Sequence, residues 1–512
     1  MKPFGFQDTL KADKNLQVIA EDPRDRKVFS EILADCLQEF AQTPSPDQAL
    51  NHFERFSRST FSKASFLSHL QKSPRVLGLS ASIFGSIPFF SEILIRNPEY
   101  FYWIFTSNHL ENPTKRTFLS KEFSRALRFV SGKKDKLDLL RIFRRKFILQ
   151  IGVRDFLMNP SVKETLKSLS DLAEVMIQQA YRICSREMQK KYGIPYYTDT
   201  EKGLTRVGFT ILAMGKLGGK ELNFSSDIDL MYLCETHTGE SSGGKQGERL
   251  PNAVYFERLS QEITAALNEP TEQGYVYRVD LRLRPEGNTG LIVTSLKGYQ
   301  RYYDSRGEIW EKLSLVKARP VAGDRRLGSR FLEMSDRFTY DNDDSEGIFN
   351  KVGALKTKID QKISKRKQTN RHVKLGRGGI REIEFIVQSF QVAFGLKNKK
   401  IKDISTLKGL KKLETARYLS QEEARELSKA YLFLRNLENR LQMVNDQQTY
   451  LLPADQSEYR RTSLRLGYAD DSQMTAEDHL KSDYQFHTDR VHQIFCRVFK
   501  NSDFFSPLTT AV

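Results

Sequence analysis

Two long stretches of helical periodicity enclosing a short island of strand-like sequence limit this chain more than any other feature. From about residue 15 to 190 helix follows helix. In LDLLRIFRRKFILQIGVRDFL, beginning at Leu137, the residues Leu140, Phe143, Phe147 and Ile151 recur at steps of three and four, as one apolar face requires, with Arg145 and Lys146 on the other side. Arg144 intrudes on the stripe and Ile142 lies off it, yet the alternation of a strand is absent. After about residue 350 the pattern is helical again almost to the end, and Tyr431 to Val444 places Leu434, Leu437, Leu441 and Val444 on one stripe. Near residue 205 the pattern changes. VGFTILAMG (207–215), DIDLMYL (227–233) and YVYRVDLRLRP (275–285) are short runs of β-branched, aliphatic and aromatic residues bounded by glycine, proline or polar clusters, and they predict three strands. Between the second and third lie a Gly/Ser-rich loop, THTGESSGGKQGERLPN, and a helix, VYFERLSQEITAALNE, ending before Pro270. The expected class is α+β: a small mixed sheet with helices in 191–350, flanked by an N-terminal helical region, 1–190, and a C-terminal helical bundle, 351–512. No internal repeat or long low-complexity tract is visible.

A chain of 512 residues exceeds one ordinary core, so two to four domains are expected. Cys36, Cys184, Cys234 and Cys496 lie far apart without CxxC or Cys/His spacing, which argues against a structural zinc or a disulfide framework and for a reducing cytoplasm. The N-terminal MKPFGFQDTLKADK lacks an apolar export segment, and other apolar runs fall short of the roughly 20 residues of a membrane span, so no membrane partner is expected. Net charge is +17, which favours a polyanionic partner such as nucleotide phosphates, nucleic acid or an acidic protein surface. Basic clusters such as Arg141, Arg144, Arg145 and Lys146, or those between Lys356 and Arg381, also read as solvated helix faces.

The chemistry concentrates in GKLGGKELNFSSDIDL, residues 215–230. Asp227 and Asp229 are two apart in a predicted strand, so both carboxylates project from one face. Carboxylates that close repel one another, and a hard divalent cation such as Mg²⁺ relieves the repulsion through oxygen ligands. An exposed strand end is the alternative. Gly218 and Gly219 precede the pair and allow backbone N–H groups to approach phosphate oxygens, or simply turn the chain. Ser225 and Ser226 add hydroxyl donors. Asp280, in VDLRLRP, sits on the third predicted strand with Arg282 and Arg284 at alternate positions, so that one acid would meet metal and two guanidinium groups phosphate, unless the strand is a solvent-facing one of mixed charge.

Two other phosphate motifs fail. Gly215 to Lys220 has three residues rather than four between Gly215 and Gly219, and Glu221 stands where a P-loop needs Ser or Thr. GRGGIRE at 376–382 has Arg381 where a dinucleotide fingerprint needs its last glycine, with no strand before it.

A glycine pair, a D-x-D and a later third acid resemble the polymerase β-like nucleotidyltransferase superfamily. Within it, GKLGGKELNFSSDIDL, VDLRLRPEGNTG, WEKLSLVKARPVAGD and KLGRGGIREIEF together resemble the glutamine synthetase adenylyltransferase and adenylyl-removing family, over about 137–460. The resemblance implies catalytic and metal-binding roles for Asp227, Asp229 and Asp280 and nucleotide contacts for Gly218, Gly219 and Ser226. It implies Mg²⁺ or Mn²⁺ as cofactor, ATP or phosphate/ADP as cosubstrate, and glutamine synthetase and a nitrogen-signalling regulatory protein as partners. Family enzymes carry two such units, one attaching AMP to a tyrosine and one removing it with phosphate; this chain has one, and GGIREIEF with YYDSRGEIWEK resembles the removing half. An RNA-end nucleotidyltransferase and a catalytically silent scaffold that docks glutamine synthetase or a signalling protein are the rival expectations. The intact aspartates count against the scaffold, and the motifs outside the core count against RNA.

Overall fold

A computed structural model of the protein describes residues 1–105, 108–245, 247–342 and 344–500. The end of the expected C-terminal bundle, 501–512, and Gln246 in the Gly/Ser loop lie outside the described residues. By contacts the chain forms two compact units that each draw on separated stretches.

The first unit comprises Met1–Pro113, Arg145–Thr165 and Arg435–Phe486 and is helical. Its early helices start where the sequence supplies caps. Asp8, Asp22, Ser45 and Ser62 accept backbone N–H groups of Lys11, Arg24, Gln48 and Ser65, and proline follows two of them directly, as in Pro23–Ala41 and Pro46–Ser59. Phe53, Phe56, Phe66, Phe84 and Phe101 fill the core in edge-to-face and tilted contacts, for example 5.1 Å between Phe56 and Phe66. Among the described residues no single helix is long and apolar enough to cross a membrane. The helices Pro74–Ser86 and Pro88–Arg96 pass for length and apolarity only as a pair bent by 117°, and Ile83, Phe84, Phe90 and Leu94 are buried inside this unit.

The second unit comprises Thr114–Arg144, Leu166–Leu434 and His487–Val512 and holds the sheets. Its strands are β1 (Pro195–Asp199), β2 (Gly203–Arg206), β3 (Phe209–Ala213), β4 (Ile228–Cys234), β5 (Glu240–Ser241), β6 (Val279–Asp280), β7 (Val293–Ser295) and β8 (Arg319–Gly323). The main sheet has the order β6-β4-β3-β8, with β7 also on β4; β3 is antiparallel to β4 and β8, while β6 and β7 run parallel to β4. β1, β2 and β5 form a small antiparallel sheet. Every residue of β3 is buried because both faces are covered. On one side Phe209 stacks on Phe256 of the helix Asn252–Asn268 and on Tyr181 of Val162–Tyr192. On the other, Leu212, Met231 and Leu233 pack with Tyr299 and Phe331.

The α+β class, the flanking helices and the helix expected to end before Pro270 are all present, and Leu140, Phe143, Phe147 and Ile151 are buried as the stripe requires. The third strand is a correction. It was expected over 275–285 but covers only Val279–Asp280, because the chain turns at once: Arg284 N–H bonds to Leu281 C=O at 3.2 Å, and Pro285 follows. β1, β2, β7 and β8 had no sequence expectation, and β5 lies in the stretch expected to be a loop.

Candidate active site

β4 and β6 bring the acids together. They pair in parallel with Asp229 directly opposite Asp280, and Ile228 N–H bonds to Arg278 C=O at 2.9 Å just outside that register. Ile228 and Leu230 are fully buried whereas Asp227 and Asp229 are partly exposed, so the two carboxylates share a face although Asp227 lies one residue before the strand. Burial is the main cause that pushes the Asp229 carboxyl up to about 6; Asp280 and Asp227 add to it, and Lys374 and Lys216 oppose it. Three acids at one strand end therefore leave Asp229 short of positive charge.

Arginines answer part of that shortage. Arg278 Nε donates to Asp227 Oδ1 at 2.6 Å while its Nη2 holds Ser225 C=O at 2.7 Å. Arg282, largely exposed, donates from Nε to both Asp280 oxygens at 3.0 and 2.9 Å and from Nη2 at 2.5 Å. Burial alone would raise the Asp280 carboxyl, but the Arg282 bonds outweigh it and hold it below the usual range. As the side chains stand, no group of three His, Cys, Asp or Glu among the described residues converges on a metal position, since Asp227 and Asp280 are each turned onto an arginine. The all-carboxylate donor set itself has the chemistry that Mg²⁺ or Mn²⁺ prefers.

Arg284 does not join this face, which corrects the alternation expected of it. It is buried and donates to four carbonyl contacts, with Leu281, Asn288 and twice Gly290, at 2.8–3.3 Å. The early end of β6 breaks the period of two, so Arg284 ties the 281–290 loop instead of facing a phosphate.

The glycine segment forms one short helical turn, Gly215–Gly218, at the end of β3. Gly218 N–H donates to Met214 C=O at 2.9 Å and Gly219 N–H to Gly215 C=O at 3.1 Å, so both amides are engaged within the turn. Their missing side chains are used for packing. A Cβ on Gly218 would stand 2.0 Å from Lys317 C=O, and one on Gly219 3.0 Å from Ile404 C=O. The residue against the acids is Gly215, with φ +52° and a Cβ position 2.4 Å from Asp229 Oδ2; Met214 N–H also bonds to Asp229 C=O at 2.9 Å. Ser226 is buried, its Oγ accepting Asn223 N–H at 3.3 Å, and Lys216 Nζ donates to Asn223 Oδ1 at 2.9 Å.

Sequence reasoning passed over Gly215, Arg278 and Lys374. Arg278 stands two before Asp280 and was findable by the same alternation that proposed Arg282. Lys374 opens KLGRGGIREIEF, some 145 positions downstream of Asp229, and nothing in that segment tied it to the aspartates. A cavity of about 800 Å³, lined by Lys133, Arg141, Cys184, Lys191, Arg258 and Glu262 among others, includes none of the site aspartates.

Comparison with known proteins bears on this arrangement. Residues 78–334, half of the chain, match the family model described as glutamate-ammonia ligase adenylyltransferase, and residues 353–499 match one described as GlnD PII-uridylyltransferase. Relatives named bifunctional glutamine synthetase adenylyltransferase/adenylyl-removing enzyme are similar over most of it. The protein of Hahella chejuensis is 37% identical over 353 residues, 69% of this chain and 35% of the relative. That of Shewanella loihica is 34% identical over 417 residues, covering 81% and 42%, and that of Psychromonas ingrahamii 33% over 423, covering 83% and 43%. The chain thus spans less than half the length of these relatives.

Proposed function

Because the chain belongs to the glutamate-ammonia ligase adenylyltransferase family, we propose that it is a metal-dependent nucleotidyltransferase acting on a tyrosine of glutamine synthetase, with phosphate-driven removal of AMP favoured over its attachment. The observation that carries this reading is the pairing of Asp229 with Asp280 across β4 and β6, with Asp229 against the Gly215 turn and Asp227 on the same face as Asp229. In removal, a phosphate oxygen attacks the phosphorus of tyrosyl-AMP, the bond from phosphorus to the phenolic oxygen breaks, and ADP and a free tyrosine result. Attachment uses the tyrosine hydroxyl against the α-phosphate of ATP and releases pyrophosphate.

Asp227, Asp229 and Asp280 would hold Mg²⁺ or Mn²⁺, which when bound orients the in-line displacement and neutralises charge on the reacting phosphoryl group. Ser226, Gly218 and Gly219 would border the nucleotide, and Arg282, exposed where it bonds to Asp280, would turn to the phosphates. Four unpaired cysteines favour a cytoplasmic setting. Helical regions would recognise glutamine synthetase and a nitrogen-signalling regulator. Direction would come from substrate recognition, since the same acids serve both senses.

The test incubates the protein with adenylylated glutamine synthetase and phosphate, and separately with the unmodified enzyme and ATP, following the tyrosine peptide by mass spectrometry. ADP release with loss of the AMP mass is the expected result. Rapid AMP attachment without phosphorolysis would overturn the direction, and inertness in both arms with Mg²⁺ present would favour the scaffold.

A further inference from the structure

Two sequence motifs that the reaction leaves unassigned meet the segment after the glycine turn at one buried point. Lys317, from WEKLSLVKARPVAGD, places Nζ 2.9 Å from Glu221 Oε2 of the turn segment, 3.0 Å from Glu384 Oε1 of KLGRGGIREIEF, and 3.2 Å from Thr406 Oγ1. Thr406 closes the cluster, donating its N–H to Glu221 Oε1 at 2.7 Å and its hydroxyl to Glu221 Oε2 at 3.2 Å. All four residues are at most 5% exposed. Glu384 sits on the helix Ile380–Phe394 and Thr406 opens Thr406–Thr415, so four separate chain segments are joined.

Burying three charges is a poor way to stabilise a fold, since apolar residues of the same volume usually do as well or better. What such a cluster supplies is register. Here the register concerns the site, because the turn is trapped from several sides. The Lys317 C=O abuts Gly218, Arg319 donates to Leu217 C=O at 2.9 Å and Gly218 C=O at 3.0 Å, and Gly215 lies against the Asp229 carboxylate. Arg319 is itself held at 2.6 Å by Glu174, which is fully buried. Lys374 stands within electrostatic reach of both Glu384 and Asp229. Mutual attraction keeps Lys317 and Glu384 ionised: burial alone would strip their charges, but the carboxylates raise Lys317 and the cations lower Glu384.

We propose that Glu221, Lys317, Glu384 and Thr406 form a positioning clamp that fixes the Gly215–Glu221 turn against Asp229, so that the helices carrying Glu384 and Thr406 set the geometry of the reacting centre. The role rests on the functional reading above. Displacing reacting groups by about 1 Å costs on the order of 10²-fold in rate.

Glu384→Gln and Thr406→Val, with Thr406→Ser as conservative rescue, separate positioning from plain stability. The readouts are kcat and KM for AMP removal, melting temperature, and hydrogen exchange of the peptide spanning the turn. The clamp predicts kcat lowered by roughly 10- to 100-fold in Glu384→Gln and by several-fold in Thr406→Val, KM within about threefold, faster exchange confined to the turn, and normal values in Thr406→Ser. Folded variants with wild-type kcat and wild-type turn exchange would overturn it. If Glu384→Gln fails to fold, Thr406→Val decides by the same measurements. If the wild type proves inert on glutamine synthetase, the functional reading falls, and local exchange of the turn alone still supports or overturns the clamp.

Discussion

Gly215→Ala tests the site at its tightest point. The residue has φ +52°, and a Cβ there would lie 2.4 Å from Asp229 Oδ2. Left-handed backbone costs an alanine about 1–2 kcal/mol. The methyl group also needs the carboxylate to retreat by about 1 Å before ordinary van der Waals contact is restored. Because that oxygen belongs to a side chain that can rotate, the clash converts into displacement more than into lost stability. A shift of about 1 Å in a group that positions a reacting phosphoryl is worth about 10²-fold in rate, or about 2.7 kcal/mol. Gly203→Ala is the control. Gly203 has φ +69° in the β1–β2 hairpin with nothing within 4 Å of its Cβ position, so it carries the left-handed cost without the contact. Calorimetry and phosphate-dependent ADP release would be measured on both variants. Both should lose a similar few degrees of melting temperature, and Gly215→Ala alone should lose turnover by about 10²-fold. Equal turnover in the two variants at saturating substrate would refute the argument that Gly215 is there for Asp229.

Asp229→Asn should abolish turnover by at least about 10²-fold with Mg²⁺ present, yet stabilise the metal-free protein at neutral pH. Burial pushes the folded carboxyl up to about 6 from its ordinary 3.8, so the wild type is penalised as pH rises through that window, by roughly 1–3 kcal/mol once ionised. In EDTA the melting temperature of Asp229→Asn should therefore exceed wild type at pH 7.5, and the gap should close below about pH 4; a constant gap across that range would contradict the cause assigned to the shift. Arg284→Ala should cost about 2–4 kcal/mol by calorimetry, because it leaves carbonyls of the 281–290 loop without their donor. Arg282→Ala should leave stability within about 0.5 kcal/mol while changing turnover, since its exposed head bonds, among the described residues, to Asp280 alone; the reverse ranking of the two arginines would restore the strand that the structure ends at Asp280.

Why the acids were legible and their surroundings were not follows from the range of the forces involved. Asp227 and Asp229 could be placed on one face because strand alternation is local, and the burial of Ile228 and Leu230 between and beside them obeys it. The same rule misled at Arg284, because it assumes that a strand continues. The run YVYRVDLRLRP has the composition of a strand throughout, while the turn that ends it depends on Arg284 bonding carbonyls on both sides of it, up to six residues away. Gly218 and Gly219 signalled a close approach, but sequence could not say to what. Their neighbours are carbonyls of Lys317 and Ile404, about 100 and 185 positions downstream. Glu221, Lys317, Glu384 and Thr406 each look like ordinary surface residues in their own segments, and only their joint burial makes them costly and therefore informative. Local periodicity identifies where a reaction can occur. The residues that hold it in place are paired across the chain by electrostatics that acquires its strength only after water has been excluded, which is why the three motifs around the site gain a common purpose in the folded protein alone.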